Sequence, residues 1–188
     1  FRYKPFYQLL IPNFMRGISN GILSLVPVIG YYCGILDKSS TAVLATLAQI
    51  ATLINCQTYV YIASKKLNGI TALVSSVIML IAMPLMPLGN SATWFLIIYF
   101  IAFFFNIYIS NAVPVIIAEN IDYNCLGQYT AWRMALFTGG TSIGGVLVPI
   151  LLDSIGGVGT LLVGGLAMIP CGLGYYLFDK QNKKKQGS

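Results

Sequence analysis

The sequence predicts an all-α polytopic membrane protein with six transmembrane helices. Three observations carry that reading. Of 188 residues, 57% are hydrophobic and only 9% are charged, against about 25% charged in a soluble domain. Mean hydropathy is +0.78. The 52 residues from Leu67 to Ala118 contain no charge, and neither do the 19 from Met134 to Leu152. Runs such as IIYFIAFFF and LLVGGLAMI lack the alternation that a membrane barrel strand shows over about ten residues. Helices, by contrast, satisfy their own backbone groups inside lipid.

A crossing needs about 20 apolar residues, and six segments meet that length: residues 10–36, 41–63, 70–88, 92–118, 129–152 and 157–178. The first starts after the basic FRYKPF and ends before Asp37-Lys38-Ser39-Ser40. The second ends at Lys65-Lys66-Leu67-Asn68-Gly69 and the third at Gly89-Asn90. The fourth ends in AENIDYNCLGQYTAWR, residues 118–133, which reads as a charged loop. The fifth and sixth are divided by Asp153 to Gly157, and residues 179–188 read as a basic cytoplasmic tail. Each break carries turn residues or charge. With six spans both termini share one side. That side holds Arg2, Lys4, Arg16, Lys65, Lys66, Arg133, Lys180, Lys183, Lys184 and Lys185, and the other holds only Lys38. The positive-inside rule makes the richer side cytoplasmic. The net charge of +6 therefore reflects topology and anionic lipid headgroups, with no nucleic-acid partner. The chain opens on Phe1 and ends on Gln186-Gly187-Ser188, which reads as a piece of a longer polypeptide with a cloning remnant. Lys, Ile and Asn usage points to a bacterial inner membrane.

Histidine is absent, which removes the usual general base and the Ser-His and most zinc chemistries. With no paired carboxylates inside the spans, the chain does not read as an enzyme and calls for no cofactor or metal. Cys33, Cys56, Cys125 and Cys171 are widely spaced and read as small hydrophobes.

The chemistry lies in polar stripes. Asn13, Arg16, Asn20 and Ser24 recur at spacings of three and four on the first helix, so they share a face. The second helix carries Gln49, Thr52, Cys56 and Tyr59 on one face, flanked by Asn55 and Gln57. The fourth carries Tyr99, Asn106 and Ser110, with Asn111 and Pro114 beside them. Such groups face other helices or a water-filled cavity. Two readings stand: helix–helix hydrogen bonds, or a solute cavity lined by Asn13, Arg16, Asn20, Ser24, Gln49 and Asn106. For Arg16 a third is snorkelling to the headgroups. Gly140 and Gly144 set a close-packing spacing in the fifth helix, and the sixth has Gly164, Gly165, Gly172 and Gly174. Helices one and four each place a proline seven or eight residues after an asparagine, Asn20 with Pro27 and Asn106 with Pro114. That match predicts an inverted 3+3 repeat, with Asn20 and Asn106 on a common groove.

These features resemble the C-terminal six-helix half of a major facilitator superfamily transporter, most like the melibiose-carrier-like glycoside-pentoside-hexuronide:cation symporters. The residues that carry the resemblance are YKPFYQLLIPNFMRGISNGILSLVPVIGYYCGIL, AENIDYNCLGQYTAWR and GGTSIGGVLVPILLDSIG. The chain departs from the family where Gly127 is followed by Gln128-Tyr129 instead of basic residues, and where Thr141-Ser142 stands in place of a lysine. The resemblance implies alternating access for a small polar solute such as a sugar or glycoside, coupled to H⁺ or Na⁺. It also implies an N-terminal half as partner, or a second copy meeting helices one, two, four and five, with helices three and six toward lipid. Glu119, Asp122 and Arg133 are candidates for a cytoplasmic gate latch; the plainer reading is a solvated loop. Alternative functions are a drug or metabolite exporter of the same superfamily, and a stand-alone six-helix homodimer.

Overall fold

The computed structural model describes residues 4–65 and 67–186; the charges expected at Arg2 and Lys66 lie outside them. The described residues are helical almost throughout, without strands. Helix α1 is Lys4–Ser24 and α2 is Val26–Tyr32. They form one span bent by 48°. Pro27 sits in the first turn of α2, where it has no N–H to give Leu23 and its ring would clash with that carbonyl in a straight helix. The predicted span 10–36 is thus two pieces ending at Tyr32.

Helix α3, Lys38–Ser64, starts three residues before the predicted boundary because Asp37 caps it, accepting a 2.7 Å hydrogen bond from Ser40 N. Helix α4, Asn68–Leu85, runs into a 3₁₀ turn, Met86–Gly89. Asn90 is left-handed (φ 47°), and the Trp94 indole N–H donates to Leu85 O across the turn (2.9 Å). Helix α5, Ala92–Asn120, is capped by Ser91, which accepts from Trp94 N.

The stretch 118–133 is not the long loop that its charges suggest. Only Ile121 and Asp122 break the helix, and α6 begins at Tyr123, with Asp122 Oδ1 accepting from Asn124 N. Helix α6, Tyr123–Gln186, contains a non-helical Gly156 (φ 70°, ψ −178°). That residue reverses the chain, because Tyr129 lies beside Tyr175; in a straight helix their separation of 46 residues would be about 69 Å at 1.5 Å per residue. The two arms, 123–155 and 157–186, replace the predicted 129–152 and 157–178, and the expected tail is helical to Gln186.

Helix α1 lies between these arms. Gly17 and Gly21 meet Gly140 and Gly144 of the first arm so closely that a Cβ at Gly17 would overlap the Phe137 carbonyl, and one at Gly144 the Ile18 carbonyl. On its other side Ile22 touches Gly164, and Ile29 and Cys33 touch Gly157. The second arm also packs on α4, with Gly165 against Leu80 and Gly172 against Ser76. Small residues let these backbones approach, the main source of helix adhesion in lipid. Helix α5 joins α4 and α3.

Four helices are long and apolar enough to cross a membrane, or five counting the bent α1–α2 pair; the Gly156 reversal divides the last of them in two. These helices make the chain an integral membrane protein. Their exposed faces differ. Within the apolar stretches, α4 exposes Ile70, Val74, Val77 and Ile81, and the second arm exposes Val158, Leu162, Leu166 and Leu173. Helix α3 exposes Gln49, Gln57 and Thr58 among its apolar side chains, and the first arm exposes Thr138 and Ser142.

Candidate functional site

A polar seam runs where α1, α5 and the first arm of α6 meet. Arg16 is its charged member. It lies on α1 one residue before Gly17, so the glycine contact that draws α1 onto the first arm also carries Arg16 inward. Its side chain is 6% exposed. Nη2 donates to Ser110 Oγ at 2.6 Å, and the guanidinium lies 5.0 Å from the centre of the Phe137 ring. The head group therefore turns into the helix seam and does not snorkel. Ser110 Oγ in turn donates to Asn106 O (2.9 Å), and Asn106 Nδ2 donates to Asn20 Oδ1 (3.4 Å). The two asparagines singled out by their matching prolines thus meet. Asn13 is fully buried; its amide donates to Leu9 O (2.8 Å) and to the Tyr129 hydroxyl (3.4 Å).

The seam is only partly satisfied. Asn13 Oδ1, Arg16 Nε, Ser19 Oγ and Asn106 Oδ1 are buried and make no hydrogen bond among the described residues; the same holds for Arg133 Nε. Buried polar atoms are nearly always paired; the seam holds several that are not, and Asn68 Nδ2 and Asp179 Oδ1 are in the same state where α4 meets the second arm. Its rim is half-buried: Asn20, Ser110, Phe137 and Arg133 all retain some exposure.

The other predicted lining residues are not part of the seam. Ser24 is exposed and donates to Gly21 O (2.7 Å), and Gln49 is exposed on α3. A second polar ladder, unforeseen as a unit, links α3 to α5. Asn111 donates to Asn55 Oδ1 (2.8 Å), Asn55 to Phe104 O (3.1 Å), and Tyr108 to Thr58 (2.6 Å).

The structure does not join the candidate gate residues. Glu119 and Asp122 are exposed. The side-chain contact of Arg133 is with Met134 Sδ at 3.6 Å, with neither acid in an ion pair among the described residues. A different acid is buried instead. Asp179, 5% exposed, pairs with Lys183 at 2.7 Å and packs against Gly69 in the first turn of α4. There the helix dipole favours a carboxylate. Beside it Tyr59 donates to Asn68 Oδ1 (2.8 Å). Asp179 was hidden in the sequence by the basic residues around it.

Two apolar grooves lie elsewhere. One, about 410 Å³, is lined by Val43, Leu47, Leu96, Ile97 and Phe100 between α3 and α5. The other, about 330 Å³, is lined by Ile70, Val74, Phe104, Phe105 and Tyr108 between α4 and α5. Their polar groups are few, Thr93 in the first and Thr71, Ser75 and Tyr108 in the second, and neither groove has a charged lining residue. Among the described residues no three His, Cys, Asp or Glu side chains gather as metal ligands. Compared with protein-family models, curated proteins and solved structures, the chain matches none.

Proposed function

We propose that the chain is the C-terminal half of a secondary active transporter of the major facilitator type, which moves a small polar solute by alternating access coupled to H⁺ or Na⁺. The observation that supports this most is the under-satisfied polar seam of Asn13, Arg16, Asn20, Asn106 and Ser110 within otherwise apolar helices. Intramembrane polar groups of this kind mark solute and ion pathways, and transporter sites lie where two repeats face each other. In this reading the six helical segments form an inverted 3+3 repeat with both termini in the cytoplasm of a bacterial cell, and no covalent chemistry takes place.

The exposed faces support a partner. Gln49, Gln57 and Thr58 on α3, with Thr138 and Ser142 on the first arm, stand exposed on membrane helices. The two glutamine amides need cover from an N-terminal half or a second copy, while the hydroxyls of Thr58 and Ser142 already bond within the chain and the apolar faces of α4 and the second arm suit lipid. The test is solute counterflow in proteoliposomes holding the whole protein, with a panel of radiolabelled sugars and glycosides. Exchange that falls about tenfold in Asn106→Ala, equivalent to the upper range of one lost neutral hydrogen bond, is the expected result. Absence of exchange for every solute, with correctly inserted protein, would overturn it.

A further inference from the structure

Arg16 is a buried cation for which the described residues supply no counter-ion. A guanidinium stays charged in a protein, and a buried charge needs a partner. The chain has five acids, and each is placed. Asp37 caps α3, Asp122 caps α6, and Asp179 holds Lys183. Glu119 and Asp153 are exposed and make no ion pair among the described residues. The charge that acts on Arg16 is instead Arg133, of the same sign; its other titratable neighbours, Cys171 and Tyr175, are groups that are ordinarily neutral at pH 7. Ser110 takes one guanidinium nitrogen and Phe137 takes the face, but Nε is left without a partner. Arg133 stands one helical turn before Phe137 on the first arm and adds a like charge, whose repulsion a bound anion would relieve in low dielectric.

The orphan atoms indicate more than charge. Arg16 Nε and Arg133 Nε call for an acceptor, whereas Asn13 Oδ1 and Asn106 Oδ1 call for a donor. A bound oxyanion would meet the need of Arg16 Nε, and a hydroxyl on the same molecule that of Asn106 Oδ1, whose partner Asn20 lies about one helical turn along α1 from Arg16. We infer that Arg16, aided by Arg133, binds the carboxylate or phosphate of a small hydroxylated anion, with Asn106 accepting from its hydroxyl. As a statement of substrate class this rests on the transporter reading; as a statement of binding it does not.

¹⁵N-labelled arginine gives Nε signals, among which those of Arg16 and Arg133 are assigned with Arg16→Lys and Arg133→Lys. The whole protein in phosphatidylcholine nanodiscs is titrated with inorganic phosphate, with lactate, and with neutral lactamide. The expected result is that phosphate and lactate shift Arg16 Nε while lactamide does not. Arg16→Lys, followed through Arg133 Nε, weakens lactate binding about tenfold, the loss of one charge-assisted hydrogen bond. Arg16→Gln, which keeps a polar side chain, abolishes the response.

No shift with either anion, or an equal shift with lactamide, overturns the inference. If phosphatidylglycerol discs shift Arg16 and block its response to soluble anions, a lipid headgroup is the occupant and the solute inference is overturned. An Arg16 signal held unresponsive by a carboxylate of the N-terminal half overturns it as well. Counterflow separates the two readings. Exchange of neutral solutes without anion binding keeps the transporter and removes this site. Anion binding without exchange of any solute keeps the site and removes the transporter.

Discussion

Arg16 and Asp179 are both buried charges in a chain nearly free of them, and they are treated in opposite ways. Asp179 has Lys183 at 2.7 Å, four residues along its own helix, and the first turn of α4 against it. Arg16 has a neutral hydroxyl, an aromatic face and a second cation. The charge of the acid is compensated locally, though its Oδ1 makes no hydrogen bond among the described residues, and it ties the second arm of α6 to α4. The arginine is held in place by glycine packing and receives no compensating charge. Such a difference separates a charge that serves the fold from one the fold tolerates. Four substitutions sharpen or break this contrast.

The largest effect is expected at the packing that fixes Arg16. Gly17→Val would drive side-chain atoms into the Phe137 carbonyl and Gly140, and backbone cannot yield as a flexible side chain can. A loss of about 3 kcal/mol follows from overpacking, read as a fall in Tm of the purified protein. An unchanged Tm would mean that α1 does not seat on the first arm.

Asp179→Ala comes next. It leaves Lys183 without its carboxylate and removes the negative charge from the start of α4. The expected cost is about 2 kcal/mol, held to that value because Lys183 is partly exposed. Double-mutant cycles with Lys183→Ala measure how much belongs to the ion pair. Coupling near zero would leave the α4 dipole as the main partner.

Arg16→Met has the opposite sign. It keeps much of the volume and removes an uncompensated charge, so the apo protein becomes about 1 kcal/mol more stable. The smallest effect is at Asp37. Hydrogen bonds from Ser40, and then Ser39, hold its pKa down to about 2. A depressed carboxylate stabilises the fold above its unfolded pKa of about 4 and loses that contribution as pH falls through the folded value. Asp37→Ala therefore lowers Tm slightly at pH 7 and by less near pH 2; a difference that grows toward acid would contradict the cap.

Much of the helix inventory was legible because an apolar run of membrane length leaves the backbone few alternatives. Boundaries were less legible where charge and helix capping look alike. Asp122 reads as a loop acid in sequence, yet it caps α6 and shortens the expected loop to two residues. Asp179 reads as one charge in a basic tail; its burial depends on Gly69, 110 positions earlier in the numbering. The meeting of Asn20 with Asn106 followed from helical periodicity and the matching prolines. The inward turn of Arg16 did not, because it requires Gly17 and Gly140 to bring two backbones together, a contact written in two distant glycines. Gln49 and Ser24 share a stripe with cavity candidates but fall on exposed faces, since periodicity groups residues without saying which neighbour they meet.

Among the described residues no acid compensates the charge of Arg16. Thermal unfolding of the wild type and Arg16→Met, each with and without saturating lactate, tests it most directly. Arg16→Met is expected to be at least as stable as the wild type without lactate. Lactate is expected to raise the Tm of the wild type and to leave the variant unchanged. An Arg16→Met protein destabilised as much as Asp179→Ala, with lactate moving neither Tm, would show that the fold already satisfies the arginine and would contradict the account.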